Sequence, residues 1–224
     1  MKLLERLPGE SGKNYALRSI KENIINLSLE PGSQISENEI AAEIGLSRTP
    51  VREALLDLSQ VKIVNLYPQK KGVISLIDFD LIDESQFMRL HLEKAVMEIV
   101  CQVATEEDIQ RLEENVRLQN FYVENPNSRE LRELDTDFHS ILFDIAGKPL
   151  IYQVMNTIAI HLERVRNMSL SPIHPIRSVH DHEDMIEAIQ DHDAHRACAM
   201  LDVHLMRYKI LLPEIREKFP QYLK

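Results

Sequence analysis

The sequence predicts a mainly α-helical protein in two parts, a small N-terminal part that combines helices with a strand hairpin and a larger C-terminal helical bundle. Apolar residues recur at helical spacing through most of the chain. Only 6 of the 224 residues are glycine, which argues against a turn-rich all-β fold. Hydrophobic residues make up 44% and charged residues 28%, which excludes a disordered chain and allows a sizeable core.

The distribution of charge divides the chain in two. The net charge is −10, yet the first 75 residues carry ten of the 26 Lys and Arg residues and nine of the 36 Asp and Glu residues. The remainder therefore holds 16 basic and 27 acidic residues, and all nine histidines lie there. Because the two regions differ in chemistry, we predict a domain over residues 1–77 and a second over residues 78–224.

Neither a membrane span nor an export signal is visible. No apolar run approaches the roughly 18 residues that a membrane helix requires. The apolar stretch at the start of the sequence is too short and too charged for a signal peptide. Cys101 and Cys198 are isolated, without the spacing of a disulfide framework or a thiolate metal site. These features predict a cytoplasmic protein.

Short helices with clear start and stop signals fill the first region. A helix is predicted over Asn14–Leu27 from its apolar spacing. Ser36 and Glu39 form a capping box that begins a second, short helix. Gly45 suits a tight turn, and a third helix follows over Arg48–Leu58. Two short helices joined by a glycine-containing turn are the helix-turn-helix pattern.

A strand hairpin is predicted after the third helix. Val61–Leu66 and Val73–Ile77 are apolar and β-branched, and a turn with two lysines separates them, as in a wing. Five basic residues against two acidic ones occupy residues 47–71. Helix-turn-helix shapes also occur in proteins that never bind DNA. Here, however, Arg48, Thr49 and Arg52 open the third helix, at the end that enters a major groove.

These residues resemble a known DNA-binding family. The stretches GSQISE (32–37), AAEIGL (41–46), SRTPVREAL (47–55) and KKG (70–72) are similar to the winged helix of GntR-family transcription regulators. The resemblance implies DNA contacts from the recognition helix and the wing, with a glycine at the wing tip near the minor groove. The residues so implicated are Arg48, Thr49, Arg52, Lys71 and Gly72. One departure is Val61-Lys62, where the family usually has an acidic residue and glycine.

The second region is predicted to be nearly all helix. The segments are 80–103, 106–123, 129–146, 149–168, 178–191 and 194–212. Breaks are predicted at Thr105 and at residues 125–127, 147–149 and 171–175. Helices of this length with short connections form an antiparallel bundle.

The histidines of the second region suggest a metal site. Asp135 and His139 are four residues apart, so they point the same way from one helix. Asp137 competes with Asp135 but lies on a different face. With His182 and His204 the set offers one carboxylate and three imidazoles, which suits Zn²⁺, Ni²⁺ or Mn²⁺. Spacing alone is weak support, because any single histidine is more often an exposed polar residue.

The same region resembles an effector domain. LDTDFH (134–139), the Ala-Gly pair at 146–147, IEAI (186–189) and the segment around residues 200–205 are similar to the FCD domain of the FadR subfamily. Many members hold a divalent metal through an aspartate and three histidines. Matched residue by residue, the ligands would be Asp135, His139, His182 and His204. Lys148 departs from the family, which usually has asparagine there.

Arg89 has two readings that the sequence leaves open. It begins a stretch similar to the first helix of the effector domain, where an arginine commonly binds the carboxylate of a small acid. Alternatively, Arg89 forms a surface ion pair with Glu93, four residues on.

The two resemblances together predict a transcription regulator, commonly a repressor. It would bind palindromic double-stranded operator DNA as a homodimer, under control of a small carboxylate effector in a metal-containing helical domain. One alternative is a metal-dependent enzyme with an accessory winged helix. We expect no enzyme, because no separate base, phosphate loop or nucleophile accompanies the metal set. A second alternative is a helical interaction protein without a ligand.

Overall fold

The computed structural model describes residues 1–125, 128–168 and 173–224. Within these residues it contains eleven α-helices and three short strands, which confirms the mainly α fold class. The chain forms two compact units. The first combines Met1–Ile82, Thr157–Ser169 and Leu211–Lys224, and the second combines Asp83–Asn156 and Leu170–Ile210. The predicted division into residues 1–77 and 78–224 stays a prediction about domains.

The first unit contains a winged helix-turn-helix, as predicted. Its elements are α1 (Gly12–Ile25), β1 (Gln34–Ile35), α2 (Glu37–Ile44), α3 (Arg48–Gln60), β2 (Val64–Asn65) and β3 (Gly72–Ile74). The three strands form an antiparallel sheet in the order β1-β3-β2. Strand β1 was not predicted, because two residues carry too little periodicity to signal a strand.

The caps of α2 and α3 explain how the helix-turn-helix is built. Ser36 accepts a hydrogen bond from the Glu39 amide at 3.5 Å, which begins α2. Gly45 ends α2 with a φ of 70°, a left-handed conformation that glycine adopts without a steric penalty. Ser47 takes the predicted N-cap position of α3 but makes no side-chain cap bond. Apolar residues of α1 and α3 then form one core that orients the recognition helix; among them are Ile20, Ile24, Val51 and Leu55.

Two segments from the second half of the sequence belong to this first unit. They are α8 (Ile160–Met168) and α11 (Leu212–Lys218). His161 Nε2 lies 2.7 Å from the carbonyl oxygen of Val61, which caps the end of α3. Arg164, which is fully buried, donates to the carbonyl oxygen of Ser75 at 2.6 Å. Helix α8, which was predicted as part of the bundle, therefore contacts the winged helix at Val61 and Ser75.

The second unit is the predicted helical bundle. It contains α4 (Phe79–Val103, most of its length), α5 (Glu106–Glu124), α6 (Ser128–Ile145), α7 (Pro149–Asn156), α9 (Ile173–Gln190) and α10 (Ala194–Met206). Helix α5 packs against α6 and α9, and α9 packs against α10. Thr105 and Asp108 form a capping box at the start of α5. No helix of the described residues is both long and apolar enough to traverse a bilayer.

Several predicted helix bounds agree with the structure, but three segments differ. The helix predicted over 194–212 ends at Met206 in α10 and is followed by a 3₁₀ helix over Arg207–Ile210, before the separate α11. The single helix predicted over 149–168 is two helices, α7 and α8, because the chain passes from one compact unit to the other after Asn156.

Of the break predicted at 125–127, residues 126 and 127 lie outside the described residues. Of the break predicted at 171–175, residues 171 and 172 lie outside them. The prediction is wrong for residues 173–175, because α9 begins at Ile173 rather than at residue 178. Pro175 is compatible with this start, since the first turn of a helix does not use its backbone N–H groups.

Candidate functional site

The structure brings together the four residues that the sequence singled out as metal ligands. Asp135 and His139 lie on α6, His182 on α9 and His204 on α10. All four are buried, and one ligand atom from each lies within 4.8 Å of the others. The competing Asp137 is exposed and is not part of this group. The i, i+4 argument that favoured Asp135 therefore agrees with the geometry.

The distances between the ligand atoms fit a common metal ion. His139 Nε2 lies 3.2 Å from His204 Nε2. Asp135 Oδ1 lies 3.8 Å from His182 Nε2 and 3.9 Å from His204 Nε2. Atoms bonded to one ion at about 2.1 Å are separated by about 3.0–4.2 Å, depending on the angle between the bonds. Small adjustments would bring the four atoms to bonding distance of one ion.

The outer nitrogen of each histidine faces an oxygen acceptor. The contacts are His139 Nδ1 to Glu93 Oε2 (2.7 Å), His182 Nδ1 to Gln119 Oε1 (2.9 Å) and His204 Nδ1 to Asp181 Oδ2 (3.4 Å). Because a neutral imidazole carries one proton, we assign it to Nδ1 in all three rings, which leaves lone pairs on Nε2. The same outer partners orient histidine ligands in metalloproteins.

This arrangement suits a cation at the centre. Three Nε2 lone pairs and the Asp135 carboxylate converge in a buried space. Without a positive charge between them, these groups repel one another in a buried position, where an ionised carboxylate is costly. A divalent metal accepts all four at once, and imidazole with carboxylate is a donor set for Zn²⁺, Ni²⁺ or Mn²⁺. The residues present therefore fit such an ion.

Two of the outer acceptors are carboxylates held ionised by arginine. Burial would raise the pKa of Glu93, but Arg89, whose Nε lies 2.5 Å from Oε1, and His139 together outweigh it and lower the pKa below its usual value. Burial likewise opposes ionisation of Asp181, yet two contacts of 2.5 Å from Arg207 lower its pKa below the usual value. Burial also lowers the pKa of His139, which keeps the ring neutral.

Arg89 forms an ion pair with Glu93, as in one of the two interpretations that the sequence left open. The pair is buried, however, and not on the surface as that interpretation stated. The side chains of Arg89 and Glu93 are only 13% and 1% exposed. Because Glu93 also faces His139, Arg89 is linked to the candidate metal site through one carboxylate. The predicted contact of Arg89 with an effector stays a prediction.

The third outer acceptor is a neutral amide that the sequence analysis missed. The Gln119 amide nitrogen donates to Asn115 Oδ1 at 2.6 Å, and Asn115 donates to the Leu134 carbonyl oxygen at 3.1 Å. These bonds turn Gln119 Oε1 toward His182, whose ring stacks on Phe138 at 4.0 Å. The sequence signal that could have indicated this contact is the pair Asn115 and Gln119, two polar residues four apart on the buried face of α5.

Replacing Gln119 with alanine is expected to lower metal affinity by about 10- to 100-fold, the usual effect of removing an outer partner of a histidine ligand. The affinity of metal-stripped protein is measured by titration against a competing chelator. Gln110→Ala, on the exposed face of the same helix, is the control. Equal affinity in the two variants would show that Gln119 does not orient His182.

A second set of predicted residues lies on the face of the recognition helix and the wing. Arg48, Thr49 and Arg52 are exposed at the start of α3, and Lys71 is exposed in the turn before β3. A groove of about 610 Å³ runs between α3 and the wing. Its lining includes Arg48, Arg52, Lys70 and Lys71, so four cations face one open space that a DNA backbone could enter.

Gly72 differs from its expected position at the wing tip. It is buried in β3, where it pairs with Ile35 of β1. A Cβ atom there would lie 3.1 Å from a Leu66 methyl carbon and 3.2 Å from Ile35 Cγ1. Close packing of the hairpin therefore explains the glycine, and the exposed tip consists of the residues before it.

A winged helix with two arginines near the start of its recognition helix, followed by a helical unit with a buried histidine cluster, defines a class of DNA-binding transcription regulators. Comparison with family models agrees. Residues 14–73 match the bacterial regulatory proteins of the gntR family, and residues 84–207 match the FCD domain. The chain belongs to the GntR family, in the FadR-like group with an FCD domain, and it is a transcription regulator rather than an enzyme.

Relatives of known role span most of the chain. The HTH-type transcriptional repressor RspR of Escherichia coli K12 is 27% identical over 212 residues, which cover 94% of this chain and 93% of that protein. The gluconate operon transcriptional repressor of Bacillus subtilis is 27% identical over 174 residues, covering 78% and 70%. The structure of E. coli McbR/YncC superposes with a TM-score of 0.80 at 18% identity, covering 92% of this chain and 99% of that one, which shows a shared fold.

Proposed function

We propose that this regulator binds palindromic operator DNA as a homodimer in the cytoplasm, and that a small carboxylate effector controls the binding from a metal-containing helical unit. The observation that carries the proposal is the convergence of Asp135, His139, His182 and His204, with the Nε2 atoms of the three imidazoles close to one another and to the carboxylate. Two curated relatives are repressors, which favours repression here.

Asp135, His139, His182 and His204 would hold the metal, with Glu93, Gln119 and Asp181 fixing the rings. When bound, a divalent ion supplies positive charge and coordination positions that a carboxylate oxygen can fill. Arg89 supports the site by keeping Glu93 ionised. We propose that its guanidinium also contacts the effector carboxylate, for which its planar donor group is well suited.

The DNA contacts are assigned to Arg48, Thr49, Arg52 and Lys71. The start of α3 would enter the major groove, where arginine can pair with guanine through two hydrogen bonds. Lys71 would contact a phosphate from the wing. An effector can change DNA affinity only if it binds two arrangements of the regulator with different affinity.

The test uses an operator selected from random duplexes with the unmodified protein. Its affinity is measured by fluorescence anisotropy with metal-loaded and metal-stripped protein, against a panel of carboxylic acids and their uncharged amides. We expect one class of acid to weaken operator binding by about 5- to 150-fold, and only with metal present. A response to the amides as well, an equal response without metal, or no response to any acid would contradict the proposal.

A further inference from the structure

Two cations of the candidate DNA-binding face are already paired with carboxylates of the protein. Glu37 Oε2 lies 2.5 Å from Arg48 Nε, and Glu39 Oε1 lies 2.8 Å from Lys71 Nζ. Both glutamates belong to the first turn of α2. Glu37 therefore pairs with the start of the recognition helix, and Glu39 pairs with the wing.

The two pairs lie where DNA would have to bind. Glu37, Arg48 and Lys71 line the same groove between α3 and the wing. The side chains of Arg48 and Lys71 are 62% and 49% exposed, so an approaching phosphate can reach them. A phosphate that takes over either cation must displace a carboxylate of the same charge and leave it unpaired beside the DNA.

We propose that Glu37 and Glu39 are internal competitors for DNA phosphate, which lower the affinity of the free regulator for DNA of any sequence. The inference rests on the proposed contacts of Arg48 and Lys71 with DNA. Exposed ion pairs are weak, so DNA can open them at a modest cost. Arbitrary genomic DNA binds through phosphate contacts and outnumbers the operator greatly, so a lower general affinity keeps more regulator available.

The competition has a signature in salt dependence. A lysine that binds phosphate normally releases nearly one counterion, which contributes about −0.9 to the slope of log affinity against log salt. When Lys71 leaves Glu39 to bind a phosphate, the freed carboxylate attracts a cation from solution. This uptake offsets part of the cation release from the DNA. Removing the Glu39 charge should therefore make binding both tighter and more sensitive to salt.

The Glu39–Lys71 pair is the better one to test, because both side chains are exposed and neither change disturbs the core. Glu39→Gln keeps the size of the side chain and removes its charge. The probe is a short random-sequence duplex, titrated at several salt concentrations with four proteins: the unmodified chain, Glu39→Gln, Lys71→Gln and the double variant. Comparing the effect of Glu39→Gln with and without Lys71 separates the ion pair from a general change of charge.

Glu39→Gln is expected to tighten binding by about two- to fivefold, the range for an exposed pair, with a steeper salt slope. In the Lys71→Gln background the same change should have little effect. If Glu39→Gln leaves binding unchanged or weakens it, while Lys71→Gln weakens binding, the competition is refuted and the DNA contact of Lys71 is retained. Equal tightening in both backgrounds would also refute the competition. Unchanged binding by Lys71→Gln would also remove Lys71 from the proposed DNA contacts.

Discussion

Replacing His182 with alanine is expected to reduce the bound metal from about one ion per chain to nearly none, because the site loses one of four ligands. A ligand present at 100 times its dissociation constant stabilises a protein by about 2.7 kcal/mol. For a chain of this size, the melting temperature should fall by about 5–10 °C. Metal content is measured by elemental analysis, and stability by a thermal melt.

His180→Ala is the matched control for this variant. His180 lies on the same helix, two residues earlier, but is exposed and pairs with Glu183. Its replacement should leave metal content unchanged. Metal-stripped wild-type protein supplies the second comparison, since His182→Ala should melt no higher than that protein. Normal metal content in His182→Ala would reject His182 as a ligand.

Arg52→Ala is expected to weaken operator binding by about 1–3 kcal/mol, roughly 5- to 150-fold, if its guanidinium pairs with a base. Arg52 is exposed on α3 and lines the groove beside the wing, so its loss leaves the core intact. The melting temperature should therefore stay the same while affinity falls. Both quantities are measured on the same preparation.

Arg111→Ala controls for the loss of one positive charge. Arg111 is half exposed on α5, in the other compact unit. Its replacement should change operator affinity far less than Arg52→Ala. Equal effects of the two substitutions would indicate that net charge, and not a contact from the recognition helix, determines affinity.

Local sequence signals predicted the helix-turn-helix well, because its boundaries depend on nearby residues. Ser36 and Gly45 mark the two ends of α2, which short-range capping and backbone freedom decide. Ser47 takes the N-cap position of α3 without a side-chain cap bond. The separation of α7 from α8 could not be predicted in the same way. No glycine or proline lies between Asn156 and Ile160, and the division of the chain between two compact units ends the helix there.

The candidate metal site was predictable in part for a similar reason. Asp135 and His139 are neighbours on one helix, so their spacing is a local signal. Gln119 and His182 are 63 residues apart, and only the packing of α5 against α9 brings them into contact. Glu93 reaches His139 from α4 in the same way. The outer acceptors are therefore a product of tertiary packing and have no fixed spacing.

In the proposed function, a buried divalent metal and a small carboxylate act together in the helical unit. The most direct test is a thermal melt of metal-stripped and metal-reloaded protein, each against a panel of small organic acids. We expect metal to raise the melting temperature, and one class of acid to raise it by about a further 5–10 °C only in the reloaded protein. Superimposable melts with and without metal, unmoved by every acid, would contradict the metal-centred effector site and leave only the DNA-binding half of the proposal.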